Sequence, residues 1–256
     1  MVYKKYLIKY SFEFIVIVIG ISFSFWIDEW NKNKTNKVQH VEDLKAVLND
    51  LKNDSIMFDR VQSSLEDGKI NTDRLLSHIE SYNNGQISYN SYADSIIDTG
   101  FLYGYSTFFM TSATFESLLS NGRIILFPEK IHTEMNNYYE AISKRIIDNN
   151  HILDNISLDY YNNHHPFSMY YANITGGYNN DSTYFETRST NNDQLIRFRK
   201  YFRNKEIRKK YNSIEFLINT SNLRNRIQVY DRQIKSFRNQ RDLIARSVRL
   251  YLNSIK

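Results

Sequence analysis

One uninterrupted apolar run near the start of the chain limits its possible folds more than any other feature. Residues 11–27 read SFEFIVIVIGISFSFWI, in which Glu13 is the one charged side chain. Extended to Trp30, the run has 20 residues, or about 30 Å of helix, which matches the hydrocarbon core of a bilayer. A helix that is apolar on every side is buried in a large core or in lipid. The run therefore predicts a transmembrane helix over residues 11–30.

Aromatic and charged side chains at both borders of the run are typical of a membrane interface. Tyr10, Trp26 and Trp30 suit the headgroup layer, and Glu13 lies close enough to the border to reach it. The small residues of a signal-peptide cleavage site do not follow the run, so we expect it to stay attached as an anchor.

Three lysines precede the run and three follow it, so the positive-inside rule does not decide its orientation. The short basic tail, residues 1–10, favours a tail inside and a domain outside the cytoplasm.

The remaining residues, 31–256, predict one soluble helical domain. Only 2 prolines and 8 glycines occur in 256 residues, too few for turn-rich sandwiches or barrels. Apolar residues recur at steps of three and four from Val41 to Leu65 and from Ile131 to Tyr160. A polar, tyrosine-rich stretch at about 166–192 predicts a loop. The predicted fold is all-α, with an N-terminal transmembrane helix followed by an antiparallel bundle of long helices.

The C-terminal helices, predicted at about residues 194–255, combine a heptad repeat with positive charge. From Phe216 to Ile255 apolar side chains recur at alternating steps of four and three, interrupted by Thr220 and Arg241, which is typical of a coiled coil or a long bundle helix. Residues 194–256 hold 17 Lys and Arg against 4 Asp and Glu, whereas the rest of the chain holds 16 against 24. Acidic first helices packed beside a basic last helix would explain this division. A polyanion-binding face is the alternative.

Basic and aromatic residues are most closely interleaved between residues 197 and 210. This pattern suits phosphates of lipid headgroups or of nucleic acid. With a predicted anchor in the same chain, lipid is the expected anion and nucleic acid is not expected. The candidate anion-binding residues are Arg197, Arg199, Lys200, Arg203, Arg208, Lys209 and Lys210.

Motifs that carry catalysis, cofactors or metals are not found in the sequence. There is no H-E-x-x-H pair, phosphate-binding glycine loop, dinucleotide fingerprint or nucleophile elbow. The chain has no cysteine, which removes disulfides and thiolate ligands. We therefore predict no catalytic residue, cofactor or metal. The predicted function is a non-enzymatic interaction or sensing module at a lipid bilayer, with a protein partner or a second copy of itself. The alternative is a polyanion-binding protein.

Two patches of the chain resemble an uncharacterised bacterial family, a domain of unknown function with one N-terminal membrane span. The first patch comprises Glu13, Val18-Ile19-Gly20-Ile21 and Trp30-Asn31, and the second is TFESLLSNG at residues 114–122. Phe12 stands where members of the family tend to have glycine. The resemblance implies this layout and a place in the bacterial cytoplasmic membrane. It brings no activity, cofactor or catalytic residue.

Overall fold

The computed structural model describes residues 2–100, 102–103, 107–167, 174–178, 184–188 and 192–255, and nearly all of them are helical. A 3₁₀ turn covers Arg123–Leu126, and π-helical segments follow α4 at Asn137–Ile142 and α5 at Tyr160–His164. In chain order, the helices are α1 (Val2–Asn83), α2 (Tyr89–Thr99), α3 (Ala113–Ser120), α4 (Glu129–Asn136), α5 (Ser143–Asp159), α6 (Asn192–Arg203), α7 (Lys205–Tyr211) and α8 (Ile214–Ser254). The prediction of an all-α class is confirmed, apart from one small hairpin.

That hairpin corrects part of the predicted loop at 166–192. Strand β1 (Ile174–Tyr178) pairs with the antiparallel strand β2 (Tyr184–Arg188). A run with Gly176 and Gly177 at its centre shows little of the alternation that identifies a strand in a sequence. The residues between and around the two strands lie outside those that the structure describes.

Helices α1 and α8 pack antiparallel along the bundle and share one long apolar seam. The predicted heptad positions of α8 are buried from Phe216 to Val248, including the polar Thr220 and Arg241. The prediction fails only at the end of the helix, where Tyr251 is half-buried and Ile255 is exposed. On α1 the predicted positions Leu44 and Leu65 are fully buried. The sequence periodicity therefore identified the shared seam correctly.

Opposite charges flank this seam. Arg224 of α8 lies 2.7 Å from Asp73 of α1, and Arg238 lies 2.7 Å from Asp59. At one end of the seam, His40 Nε2 and Tyr251 Oη are 3.2 Å apart. Two basic residues of α8 thus pair with acidic residues of α1, in the manner that the bundle explanation predicts.

The predicted transmembrane helix lies within one long continuous helix. Residues 11–30 are part of α1, which runs without a break from Val2 to Asn83. In the described part of the chain, no helical stretch combines the length and the apolar character that crossing a membrane requires.

The two π-helical segments each bury a pair of adjacent tyrosines. Tyr138 and Tyr139 are 0% and 6% exposed, and Tyr160 and Tyr161 are 1% and 3% exposed. Successive residues of an α-helix point about 100° apart, and the wider turn of a π-helix changes which side chains share a face. These segments therefore direct four large side chains into the core.

Candidate functional site

One candidate surface is the apolar segment, defined as residues 14–27 of α1. All of its side chains are exposed. The exposed fractions of its large side chains range from 38% at Ile27 to 71% at Phe25. Contiguous exposed apolar surface of this extent marks a contact with lipid or with another protein.

The predicted interface residues lie at the ends of the apolar segment. Trp26 and Trp30 are 61% and 58% exposed, and Glu13 is exposed at the other border. The side chain of Tyr10 lies outside those that the structure describes. After the segment, Lys34 Nζ lies 5.9 Å from the ring centroid of Trp30. Aromatic and cationic groups thus occupy the border of the segment nearer the bundle.

The second candidate surface is the basic tip, defined as helices α6 and α7, and it contains all seven predicted anion-binding residues. Asn204 begins α7 by accepting hydrogen bonds from the backbone N–H groups of Glu206 and Ile207, at 2.9 and 3.4 Å. This cap sets the bend that places the two short helices side by side. The exposed members of the predicted set are Arg197, Arg199, Lys200, Arg203, Arg208 and Lys209, and Lys210 is half-buried.

Two members of the predicted set have internal partners. Arg199 Nε donates to Asp94 Oδ1 of α2 at 2.9 Å, and this carboxylate raises the pKa of Arg199. The guanidinium carbon of Arg208 lies 4.5 Å from the ring centroid of Tyr89. Both cations therefore help to fix the tip on α2, which reduces their availability for an external anion.

The aromatic residues interleaved with these cations point inward. Phe198, Phe202 and Tyr211 are buried, and Tyr201 is half-buried. Stacking on nucleic-acid bases requires exposed aromatic faces. The pattern that suggested phosphate binding therefore combines an outer row of cations with an inner row of core residues.

The apolar segment and the basic tip lie at opposite ends of the molecule. Asn212, which follows α7, donates a hydrogen bond from Nδ2 to Tyr82 Oη at 3.1 Å. Tyr92 Oη donates to the carbonyl oxygen of Tyr211 at 3.0 Å. The tip is thereby fixed near the end of α1 at Asn83, 53 residues beyond Trp30. This separation corresponds to about 80 Å along the helix.

Buried carboxylates of α1 form a cluster that the sequence analysis did not identify. Asp54 Oδ1 accepts a hydrogen bond from the backbone N–H of Thr111 at 2.7 Å, and its Oδ2 accepts one from the hydroxyl of Tyr138 at 2.8 Å. Asp50 Oδ2 accepts from the backbone N–H of Thr114 at 3.0 Å. Burial raises the pKa of Asp54, and the bonds from Thr111 and Tyr138 oppose that effect.

These carboxylates hold the central patch, residues 114–122, against α1. Asp43 completes the attachment with a contact of 3.0 Å to Nε of Arg123. At the end of the patch, Gly122 adopts a φ of 66°, a left-handed conformation that ends α3. The positions 43, 50 and 54 are seven and four residues apart, so they share a face with buried apolar residues. That placement is the signal by which the sequence could have revealed them.

His165 is a second buried polar group that the sequence did not distinguish. Its side chain is 0% exposed, and its Nδ1 lies 2.9 Å from Tyr211 Oη. Burial lowers its pKa to about 3, and a hydrogen bond with the backbone of Gly100 opposes this shift. Within the described ranges, no group of three His, Cys, Asp or Glu side chains could hold a metal ion. The histidine therefore serves as a neutral hydrogen-bonding group inside an aromatic core.

These features define an elongated helical bundle with an apolar surface at one end and a basic surface at the other. The chain belongs to the family of unknown function DUF6090, whose match covers residues 13–181. The resemblance to an uncharacterised domain family is thus confirmed, while a bacterial source and a single membrane span remain predictions. The matched range contains the apolar segment and the central patch, whereas the basic tip lies beyond it. No similar curated protein or solved structure was found.

Proposed function

We propose that this chain is a non-enzymatic helical interaction module held at a lipid bilayer by the apolar segment. The observation that carries the proposal is the exposure of every side chain from Phe14 to Ile27. Transferring one large apolar side chain from water to an apolar medium gains about 1.5–3 kcal/mol. Eleven such side chains are exposed in this segment. Removing them from water is therefore a strong driving force for attachment.

The groups that follow the apolar segment support a bilayer as the apolar medium. Trp26 and Trp30 are exposed, and indole rings favour the headgroup layer. Lys32, Lys34 and Lys37 come next in α1 and are also exposed. Each lysine near an anionic membrane surface contributes about 1 kcal/mol to attachment. An apolar segment followed by tryptophans and then by lysines matches the layers of a bilayer surface.

The first experiment measures co-flotation of the full chain with phosphatidylcholine vesicles. Ile15→Asp with Ile19→Asp should reduce the floating fraction at least tenfold, because a charged carboxylate is excluded from hydrocarbon. The matched control is Ile147→Asp with Ile152→Asp, which changes two exposed isoleucines of α5 and should float like the original chain. Equal flotation of both variants, or no flotation of the original chain, would refute attachment through this segment.

Single introduced cysteines test whether the apolar segment spans the bilayer and on which side of the membrane the bundle lies. Since the chain has no cysteine, Lys5→Cys and Lys37→Cys each introduce one unique thiol. We propose the bacterial cytoplasmic membrane, with the bundle outside the cytoplasm. In intact cells a membrane-impermeant maleimide should then label Lys37→Cys and leave Lys5→Cys unlabelled. Labelling at both positions would indicate a segment that lies in one leaflet, and labelling of Lys5→Cys alone would reverse the proposed orientation.

A second copy of the chain is the partner that the apolar segment itself suggests. A side chain added at Gly20 would have no heavy atom within 4 Å, and Ser24 Oγ donates its hydrogen bond back to the Gly20 carbonyl at 3.0 Å. This leaves a narrow face on which two helices can approach closely. Ser24→Cys should form a disulfide-linked dimer in vesicles, whereas Ser22→Cys, on the opposite side of the helix, should not. Equal crosslinking at both positions would refute a defined dimer face.

A further inference from the structure

The basic tip has more positive charge than its internal contacts use. Between residues 192 and 211 there are 8 Lys and Arg against 2 Asp and Glu. Five of the cations are exposed and form neither an ion pair nor a cation–π contact with any other described residue, in contrast to Arg199 and Arg208. These five unpaired cations are Arg197, Lys200, Arg203, Lys205 and Lys209.

Exposed isoleucines accompany these cations. Ile196 of α6 is 65% exposed, and Ile214, at the start of α8 beside the tip, is 70% exposed. Cations interspersed with exposed apolar side chains are typical of a surface that lies on an anionic bilayer, where the cations meet phosphates and the apolar groups enter the acyl boundary. Nucleic acid would instead require exposed aromatic platforms or a groove, and the aromatic residues of the tip face the core. The chemistry of the tip therefore favours lipid.

The length of α1 keeps the tip away from the bilayer that holds the apolar segment. About 80 Å of continuous helix separates Trp30 from Asn83. Electrostatic attraction at physiological salt falls off over about 8–10 Å. Contact with the same bilayer would require the whole molecule to lie flat, and a flat molecule would withdraw the apolar segment from the hydrocarbon.

We propose that the basic tip binds a second, anionic lipid bilayer, so that the chain tethers two membranes. This inference rests on the proposed attachment of the apolar segment. The α1–α8 pair, whose apolar seam is flanked by ion pairs at Asp59 and Asp73, acts as the spacer that sets the distance between the two surfaces.

The test uses two populations of vesicles. The full chain is reconstituted into phosphatidylcholine vesicles that carry a biotinylated lipid, and these are immobilised on streptavidin. Fluorescent target vesicles contain phosphatidylcholine alone or with 30% phosphatidylglycerol, and retained fluorescence is measured at 50 and 300 mM salt. The tip variant combines Lys200→Glu, Arg203→Glu and Lys209→Glu. The control combines Lys52→Glu, Arg60→Glu and Lys144→Glu, exposed cations elsewhere on the bundle.

We expect retention of anionic targets only, and a reduction of at least 100-fold in apparent affinity for the tip variant, since each of the three cations contributes roughly fivefold and reversal adds repulsion. The control variant should retain targets normally. Retention of neutral targets, or retention unchanged in the tip variant, would overturn the proposal. So would loss of retention when phosphatidylglycerol is added to the immobilised vesicles, because the tip would then bind its own membrane. Duplex DNA that displaces the targets at low concentration would identify nucleic acid instead.

Failure of the two proposals can be told apart. A chain that does not enter the immobilised vesicles refutes bilayer attachment, and tethering with it. A chain that enters them and retains no target refutes tethering alone.

A further variant, Ile196→Ser with Ile214→Ser, should lower the retention that survives at 300 mM salt, because apolar insertion is not screened by ions.

Discussion

The buried histidine makes the stability of the bundle dependent on pH. His165 Nδ1 lies 2.9 Å from the Tyr211 hydroxyl oxygen, which accepts a hydrogen bond from the backbone N–H of Phe167 at 3.2 Å. The backbone of Gly100 favours the protonated ring, but the effect of burial on the pKa of His165 is larger. Protonation would place a positive charge in an aromatic core. The folded protein therefore favours the neutral ring.

The sign and size of the effect follow from proton linkage. The ordinary pKa of histidine is 6.5, and burial lowers that of His165 to about 3. Between these values the unfolded chain binds a proton that the folded chain does not, so stability falls as the pH falls through this window. Between pH 7 and pH 5 the loss from this one residue is about 2 kcal/mol.

Urea unfolding followed by circular dichroism at 222 nm, at pH 7 and pH 5 in a neutral detergent, measures this loss. His165→Gln keeps one acceptor and one donor and removes the titration, so it should lose about 2 kcal/mol less than the original chain over the same interval. His151→Gln changes an exposed side chain and serves as the control. If the original chain and His165→Gln lose equal stability, the buried neutral histidine is not the source of the pH dependence.

Three further predictions concern the stability of the bundle. Gly68→Ala should destabilise it by about 1–3 kcal/mol, although alanine is normally the better helix former, because the added carbon would lie 2.7 Å from a ring carbon of Tyr103; a gain in urea midpoint would contradict this contact. Tyr138→Phe should cost about 1–3 kcal/mol because it leaves a buried oxygen of Asp54 without its hydroxyl donor, and an unchanged midpoint would show that water replaces the donor. Arg224→Ala should cost less than about 1 kcal/mol because its ion pair is partly solvated, and a loss above 2 kcal/mol would show that the pair is effectively buried.

Periodic features of the fold could be predicted from the sequence because each depends on local spacing. The heptads of α8 determine which residues face α1, and burial from Phe216 to Val248 follows that order. The stop of α3 at Asn121-Gly122 depends on one glycine with a positive φ. The Asn84-Gly85 turn has the same cause, with a φ of 71° at Gly85. In each case the spacing or the type of residues along the chain is enough to predict the local structure.

Features that depend on distant contacts could not be predicted in this way. The π-helical turn at Asn137–Ile142 is favoured because it lets Tyr138 reach Asp54, 84 positions earlier in the chain. Glycine weakens a helix interior, yet α1 continues through Gly68, and the ring of Tyr103 fills the space beside it. Long-range packing decided both outcomes, and no local pattern specifies it.

The positive charge of the last third of the chain shows why composition alone cannot locate a binding surface. In sequence, residues 194–256 form one basic block, which suits either a bundle seam or an anion-binding face. The structure separates these two roles. Along α8, Arg224 and Arg238 lie against carboxylates of α1, so charge matching within the fold explains this part of the block. In α6 and α7 the same residue types form an outer row whose only carboxylate partner among the described residues is Asp94, bound to Arg199. Exposed cations without such partners are most closely spaced at the tip, and any anion that this chain recognises should be sought there, about 80 Å from the apolar segment.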